Sequence, residues 1–362
     1  MSTENFSSAN QLQCPRYHPL SELSSRQGYY PNLDEKQLLA LENLRTRLNS
    51  EGLSYDLGDE DAVLKLLRFL RARSFHVEKS YQLIKEDTKW RVDNKIADLR
   101  SATADEVLGC DLSKVYQYFP TWIQGIDKQS RPIAWRQFGK FEIWNILKLT
   151  TMEKLIRFHS WEAEQALSLM KEHSTATGYN IETFVIVVDA NHWHLGLATS
   201  DAYTFIKGMV ATDSDHYPER LGRLVVINAP YMLSFAWRVI SSMVDDVTRA
   251  KISICSTSSE EWFPVLLEVM DKSQIPRMYG GDAPDPTPGV FVQHSARVRL
   301  EPPVVTTAAP GGLGTDEDLS SPRKADSLVA VHGSIDPAVL EDSLKSEVRE
   351  PTALVEPTAL VH

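Results

Sequence analysis

Three groups of residues are suited to chemistry, and none has the spacing of a known catalytic centre. Arg68, Arg71 and Arg73 stand close together in an otherwise apolar run. Guanidinium groups fork onto phosphate, so these three form either an anion site or the solvated basic face of a helix. His192-Trp193-His194 is the one arrangement resembling a metal or haem ligand pair, because residues two apart in an extended segment point the same way. Two ligands are too few for a zinc site, and the alternative is a pair of surface or capping histidines. The third group is Met232-Leu-Ser-Phe-Ala-Trp-Arg-Val-Ile-Ser-Ser-Met-Val244, apolar nearly all round with Arg238 its only charge. Such a helix is either buried or faces something other than water part of the time. It is either core or a lid that closes an apolar cavity and opens against a membrane.

No GxSxG, GxxxxGKS, GxGxxG or HExxH occurs in the sequence, so it carries no catalytic signature. Gly280-Gly281 reads as a turn, since no strand-to-helix context surrounds it. The expectation is a protein that binds, without enzymatic activity, cofactor or metal.

The elements that must position these residues follow from periodicity. Segments 33–48, 61–75 and 77–90 carry apolar residues at helical spacing, among them Leu41, Leu44, Leu64, Leu67 and Ile84, and predict a helical subdomain. Past residue 111 the period changes. Pro132–Phe138 reads as a strand after an Asp-Lys-Gln-Ser turn, and 151–172 as a long helix. Phe184–Val188, Leu224–Ile227 and Ile252–Cys255 are short β-branched runs with helical segments 201–211 and 232–244 between them. Continuous apolar strands are buried on both faces, and strands alternating with helices form crossover units. The fold class is therefore α/β, a mostly parallel sheet with crossover helices behind an N-terminal helical subdomain.

Composition narrows the partners. The net charge of −11 over 362 residues argues against nucleic acid, which rewards a basic footprint. Residues 285–362 hold 12 acidic and 6 basic side chains, nine of the nineteen prolines and one aromatic, Phe291. That stretch is expected to be a disordered tail, ending in the repeat Glu350-Pro-Thr-Ala-Leu-Val355, Glu356-Pro-Thr-Ala-Leu-Val361, a candidate peptide for a protein partner. Three cysteines without a CxxC spacing fit a reducing compartment. A polar segment 1–13 is no signal peptide, and no apolar run is long enough to span a bilayer. A cytoplasmic protein, monomeric and transiently peripheral to membranes, is the expectation.

Several blocks stand in one order along the chain: Leu66-Leu-Arg-Phe-Leu-Arg-Ala-Arg73 with Trp90-Arg91, Asp127-Lys-Gln-Ser-Arg-Pro132, Tyr217-Pro-Glu-Arg220 running into Ile227-Asn-Ala-Pro230, Val247-Thr-Arg-Ala-Lys251, and Ile275-Pro-Arg-Met-Tyr-Gly-Gly281. Together they resemble the CRAL-TRIO lipid-binding family, in its fungal and plant phosphatidylinositol-transfer branch, over about residues 33–282. The resemblance implies an N-terminal segment (1–32), a helical subdomain (33–100), a lipid-binding domain (105–284) and the tail (285–362). It also implies phosphatidylinositol transfer between membranes or presentation to lipid kinases at Golgi, endosomal or plasma membranes. Other members of the family carry tocopherol, retinal, squalene-like lipids or haem, so a sterol, another neutral lipid or haem is the alternative cargo.

By the same resemblance Arg73, Glu219, Thr248 and Lys251 meet the inositol phosphate headgroup. Arg73 and Lys251 would neutralise phosphate, Thr248 donate a hydrogen bond and Glu219 accept from inositol hydroxyls. Phe235, Trp237, Val239 and Met243 would belong to the gating helix. Ser74 stands where the family often has lysine. Phosphatidylcholine-exchanging members have two tyrosines where this chain has Ile123 and Ala134, and aromatic faces are what hold a quaternary ammonium. Trp122 and Trp135 lie one residue along, and strand alternation points them to the opposite face.

Overall fold

A computed structural model describes residues 16–53, 55 and 60–293. The segment 1–13, Cys14, Gly58 and the chain beyond residue 293, with its repeat, lie outside the described residues. The helical bundle and the sheet layers pack into one compact unit.

The bundle is α1 (Glu35–Ser50), α2 (Ala62–Arg71) and α3 (Val77–Asp93), followed by the short helices α4 (Ile96–Leu99), α5 (Ala104–Leu108) and α6 (Leu112–Tyr116). Asp34 and Gln37 form a reciprocal capping box that starts α1, and the Asp61 carboxylate accepts the first free N–H groups of α2, satisfying donors that the helix cannot. Leu66, Leu67, Phe69 and Leu70 of α2 bury against Leu41, Leu44 and Leu48 of α1 and Tyr81 and Ile84 of α3. α2 ends at Arg71, short of the expected residue 75, because Ser74 and Phe75 both adopt left-handed backbone, with φ of 50° and 60°.

Five strands lie in chain order: β1 (Thr121–Ile126), β2 (Pro132–Gln137), β3 (Phe184–Asp189), β4 (Leu221–Ile227) and β5 (Ile252–Ile254). β1 and β2 form an antiparallel hairpin, and the other pairings are parallel. Trp-Ile-Gln-Gly-Ile is too diluted by Gln124 and Gly125 to read as a strand in the sequence. Between β2 and β3 run α7 (Ile143–Ile146) and α8 (Met152–Thr177); α9 (Ser200–His216) links β3 to β4; α10 (Leu233–Ser241) and α11 (Asp246–Arg249) link β4 to β5; α12 (Ser259–Val269) follows. Right-handed crossovers that always step the same way along a sheet place their helices on one face. Accordingly Ile123, Ala134 and Ile186 pack with α8 and α9, and Val226 with Leu233 of α10. The opposite face, with Trp122, Trp135, Val185, Val187 and Val225, packs on Trp262 and Leu266 of α12.

The expected disordered tail begins too early at residue 285. Phe291 is buried between Phe158 and Trp161 of α8. The Ile123 N–H donates to Phe291 O at 2.6 Å and the Gln293 N–H to Ile123 O at 2.9 Å, so this segment runs along the β1 edge. One large aromatic with a docking edge outweighs the Pro-rich composition around it.

Candidate functional site

Glu219 and Lys251 stand just before the first residues of β4 and β5, and the parallel pairing of those strands brings them together at one end of the sheet. Lys251 Nζ lies 3.3 Å from Glu219 Oε2, with each side chain 13% exposed. Lys251 is held from both sides: its N–H donates to Thr248 O at 3.0 Å, and its carbonyl accepts from the Leu224 N–H at 2.9 Å. Glu219 sits in left-handed backbone, φ 60°, a conformation that costs of order 1 kcal/mol outside glycine. Its neighbours fix it there. Arg68 Nη1 donates to Pro218 O at 2.7 Å, and Arg220 pairs with Glu60 at 2.8 Å. The Tyr29 hydroxyl donates to the same Oε2 at 3.4 Å, while Oε1 of Glu219 has no hydrogen-bond partner among the described residues.

Thr248 joins this pair through Asp245. Both its N–H (2.8 Å) and its hydroxyl (2.7 Å) donate to the Asp245 carboxylate. Burial would raise that carboxyl, but the Thr248 hydrogen bonds and the charge of Lys251 hold it below the usual range. The Thr248 hydroxyl hydrogen is therefore engaged, and toward a ligand the residue offers lone pairs unless Asp245 releases it. Arg73 stands apart: no hydrogen bond or ion pair links it to Glu219, Thr248 or Lys251. Its Nη1 donates to Ala72 O at 3.0 Å, its Nη2 lies 3.9 Å from Asp215, and it lines a cleft of about 260 Å³ with Glu78, Lys79 and Gln82.

Arg68 and Arg71 are neither a solvated face nor a free anion site. Arg68 pairs with Glu60 at 2.6 Å, which also holds Arg220 ahead of β4, and Arg71 pairs with Glu182 ahead of β3 at 2.8 Å. Burial alone would raise the Glu60 carboxyl; Arg220 and Arg68 outweigh it and hold it at about 2. Arg71 also stacks 3.8 Å over the Tyr29 ring, and Tyr17 bonds to Glu182, so the N-terminal arm is built into the frame behind Glu219. Sequence reasoning missed Tyr29 because nothing local relates it to residue 219. It also missed Asp245, although an Asp three residues before Thr248 is a helix-start signal.

α10, in the β4–β5 connection that ends at Lys251, has no buried residue. Phe235, Trp237 and Val239 are half-buried, as is Met243 just past the helix end, although the segment is overwhelmingly apolar. Val188 and Leu224, which pack with Leu233 of α10 around the buried Val226, are half-exposed as well, so the apolar contact between helix and sheet is only partly buried.

At the other end of the same face, Ile123 and Ala134 are cross-strand partners and are buried with Phe141, Phe205 and Phe291. Trp122 and Trp135 point the opposite way, stacked on each other and on Tyr279. The family-like blocks at Asp127 and Asn228 are structural. Asp127 closes the β1–β2 turn by accepting from the N–H groups of Gln129 and Arg131, and Asn228 donates to Asp189 at 2.9 Å. His192 and His194 find no third ligating side chain that would complete a metal site among the described residues. No described helix is long and apolar enough to cross a membrane.

Residues 40–86 match the CRAL/TRIO N-terminal domain and residues 116–281 the CRAL/TRIO domain. The SEC14 cytosolic factor of Candida glabrata is 31% identical over 274 residues, 74% of this chain and 84% of that protein. The Sec14 cytosolic factor of Schizosaccharomyces pombe is 29% identical, covering 74% and 90%. The Arabidopsis thaliana phosphatidylinositol/phosphatidylcholine transfer protein SFH9 is 28% identical over 60% of this chain and 36% of its own length. Among solved structures, that of Sfh5 superposes with a TM-score of 0.54 at 17% identity, covering 70% of this chain and 89% of that one, which supports the fold.

Proposed function

The chain belongs to the CRAL/TRIO family, and from that premise we propose that it binds phosphatidylinositol and carries it between membranes or presents it to lipid kinases. The observation that carries this reading is the Lys251–Glu219 pair, with Lys251 at the end of the connection whose apolar helix α10 has no buried residue. Lys251 supplies a cation for the phosphodiester, and Glu219 Oε1 an acceptor for an inositol hydroxyl. Thr248 closes the site through Asp245. Arg73 is the outer cation and reaches the phosphate after leaving Asp215. Acyl chains lie between α10 and the sheet, where each buried methylene contributes about 0.8 kcal/mol, and α10 swings away at a membrane to let them in. Residues 33–100 brace the lipid-binding domain, 105–284, to which 285–293 adds an edge segment.

No covalent step is needed. The protein acts in the cytoplasm as a monomer, transiently at Golgi, endosomal or plasma membranes, and the repeat at 350–361 is its candidate peptide for a protein partner. Native mass spectrometry of the purified chain with identification of the extracted lipid tests the reading. Phosphatidylinositol at one per chain is the expected result. A chain that takes up none from phosphatidylinositol-containing vesicles would defeat the proposal.

A further inference from the structure

α10 buries no residue along its length, so what fastens it is found at its ends. At the first turn Leu233 packs with Val188, Leu224 and Val226 of the sheet. At the last turn the fastening is polar and comes from Arg249. Its Nη2 donates to Ser241 O at 3.0 Å and to Val244 O at 2.9 Å, and its Nη1 pairs with Asp246 at 3.1 Å. Carbonyls at a helix end lack donors from their own helix, and the negative end of the helix dipole favours a cation there. Among the described residues these two bonds to Arg249 are the only hydrogen bonds that join 231–244 to another element.

Arg249 is the last residue of α11, the same turn that carries Thr248 and leads into Lys251. That turn is cross-braced into one piece. Asp245 accepts from the Thr248 N–H and hydroxyl. The Arg249 N–H donates to Asp245 O at 2.9 Å, that of Ala250 to Asp246 O at 3.0 Å, and that of Lys251 to Thr248 O at 3.0 Å. The Arg249 side chain is 46% exposed, and an exposed clamp is weak because holding a long side chain in one geometry costs entropy. Its strength therefore depends on how firmly the turn beneath it is held. A ligand that fixes Thr248 and Lys251 fixes the backbone of Arg249 with them.

We infer that Arg249 is a positioning residue that couples the headgroup site to α10: a headgroup held by Thr248 and Lys251 steadies α11, and Arg249 passes that order to the end of the helix. The inference rests on the phosphatidylinositol reading above. Such coupling is reciprocal, so a seated α10 also holds Thr248 and Lys251 in their binding geometry. It makes α10 answer to the headgroup alone. A lid held only by the apolar chains beneath it would not.

The test uses the full chain and glycerophosphoinositol at millimolar concentration, which has the phosphodiester and the inositol but no acyl chains. Binding is read from the amide resonances of Thr248 and Lys251, and order in α10 from amide hydrogen exchange over 233–241. In the parent both should respond, with exchange in α10 slowed roughly five-fold. Arg249→Ala should bind roughly five-fold more weakly, by the same reciprocity, and at saturation leave exchange in α10 unmoved. Slowing that persists in Arg249→Ala, or a parent that binds without slowing α10, overturns the inference and leaves the phosphatidylinositol reading standing. Complete loss of binding in Arg249→Ala also overturns it, by making Arg249 part of the headgroup site. No response at Thr248 or Lys251 in the parent overturns the headgroup assignment and the inference with it.

Discussion

The Tyr29 hydroxyl donates to Glu219 Oε2 at 3.4 Å across 190 residues of chain, on the same oxygen that Lys251 approaches from the other side at 3.3 Å. The carboxylate is thereby turned so that its second oxygen is free of hydrogen bonds among the described residues. Since Arg71 lies 3.8 Å over the Tyr29 ring and pairs with Glu182, the orientation of Glu219 is transmitted from the bundle. Tyr29→Phe keeps the ring and removes only the donor. Phosphatidylinositol transfer should fall roughly five-fold, about 1 kcal/mol, with an unchanged circular dichroism spectrum. Transfer equal to the parent's would mean that Glu219 needs no such brace.

Lys251→Ala removes the cation that pairs with Glu219. The expected loss of phosphatidylinositol transfer is roughly ten- to a hundred-fold, the range for a hydrogen bond to a charged group. A folded variant that transfers normally would remove Lys251 from the site. Arg73→Ala, acting on a side chain outside the paired cluster, should cost less than Lys251→Ala.

Trp237→Ala separates gate from core. A buried tryptophan truncated to alanine costs about 3–5 kcal/mol; on α10, which has no buried residue, the cost should stay below about 2 kcal/mol in urea unfolding. Transfer should nevertheless drop severalfold. A large loss of stability would assign α10 to the core.

Phe291→Ala empties the space between Phe158 and Trp161 and should destabilise the chain by about 3 kcal/mol. A chain ending at residue 293 should unfold and transfer like the full one, and a chain ending at 284 should not. Equal stability of the two truncations would show that 285–293 contributes nothing.

His159 is buried, with Nε2 2.8 Å from Asp213 and Nδ1 3.6 Å from Glu162, which also faces Arg136. Burial would lower its pKa, but Asp213 and Glu162 outweigh burial and the Arg136 charge and raise it to about 9. A raised folded-state value means the stabilisation is complete below pH 6.5, the ordinary histidine value, and is lost as pH rises toward 9. The amount is on the order of 3 kcal/mol. Chemical unfolding at pH 6 and pH 9 should show this decline in the parent and a flatter profile in His159→Gln.

Much of the architecture was legible in the chain because it is written in local patterns. The β-branched runs at 184–188, 224–227 and 252–255 lie within or across three of the strands, and the helices between them fall where the 3.6-residue period placed them. β1 escaped because Gln124 and Gly125 break its pattern, and its partner segment 285–293 escaped because proline content outweighed one buried aromatic. Glu219 and Lys251, named by resemblance, are found paired, whereas Tyr29, Asp245 and the engagement of Arg68 and Arg71 had no signal in the resemblance. A charged residue's sequence neighbours do not say which opposite charge it will meet.

The sequence by itself determined the α/β class, the alternation of strands and helices from 184 to 255, and the apolar character of the helix at 232–244, because each depends on composition and on spacing within one element. Only the tertiary structure decided which face of the sheet α10 covers, that Ile123 and Ala134 are sealed with Phe205 and Phe291, and that α10 buries no side chain. Those outcomes depend on cross-strand register and on the side to which each crossover helix falls, relations between residues distant in the chain that no local pattern encodes.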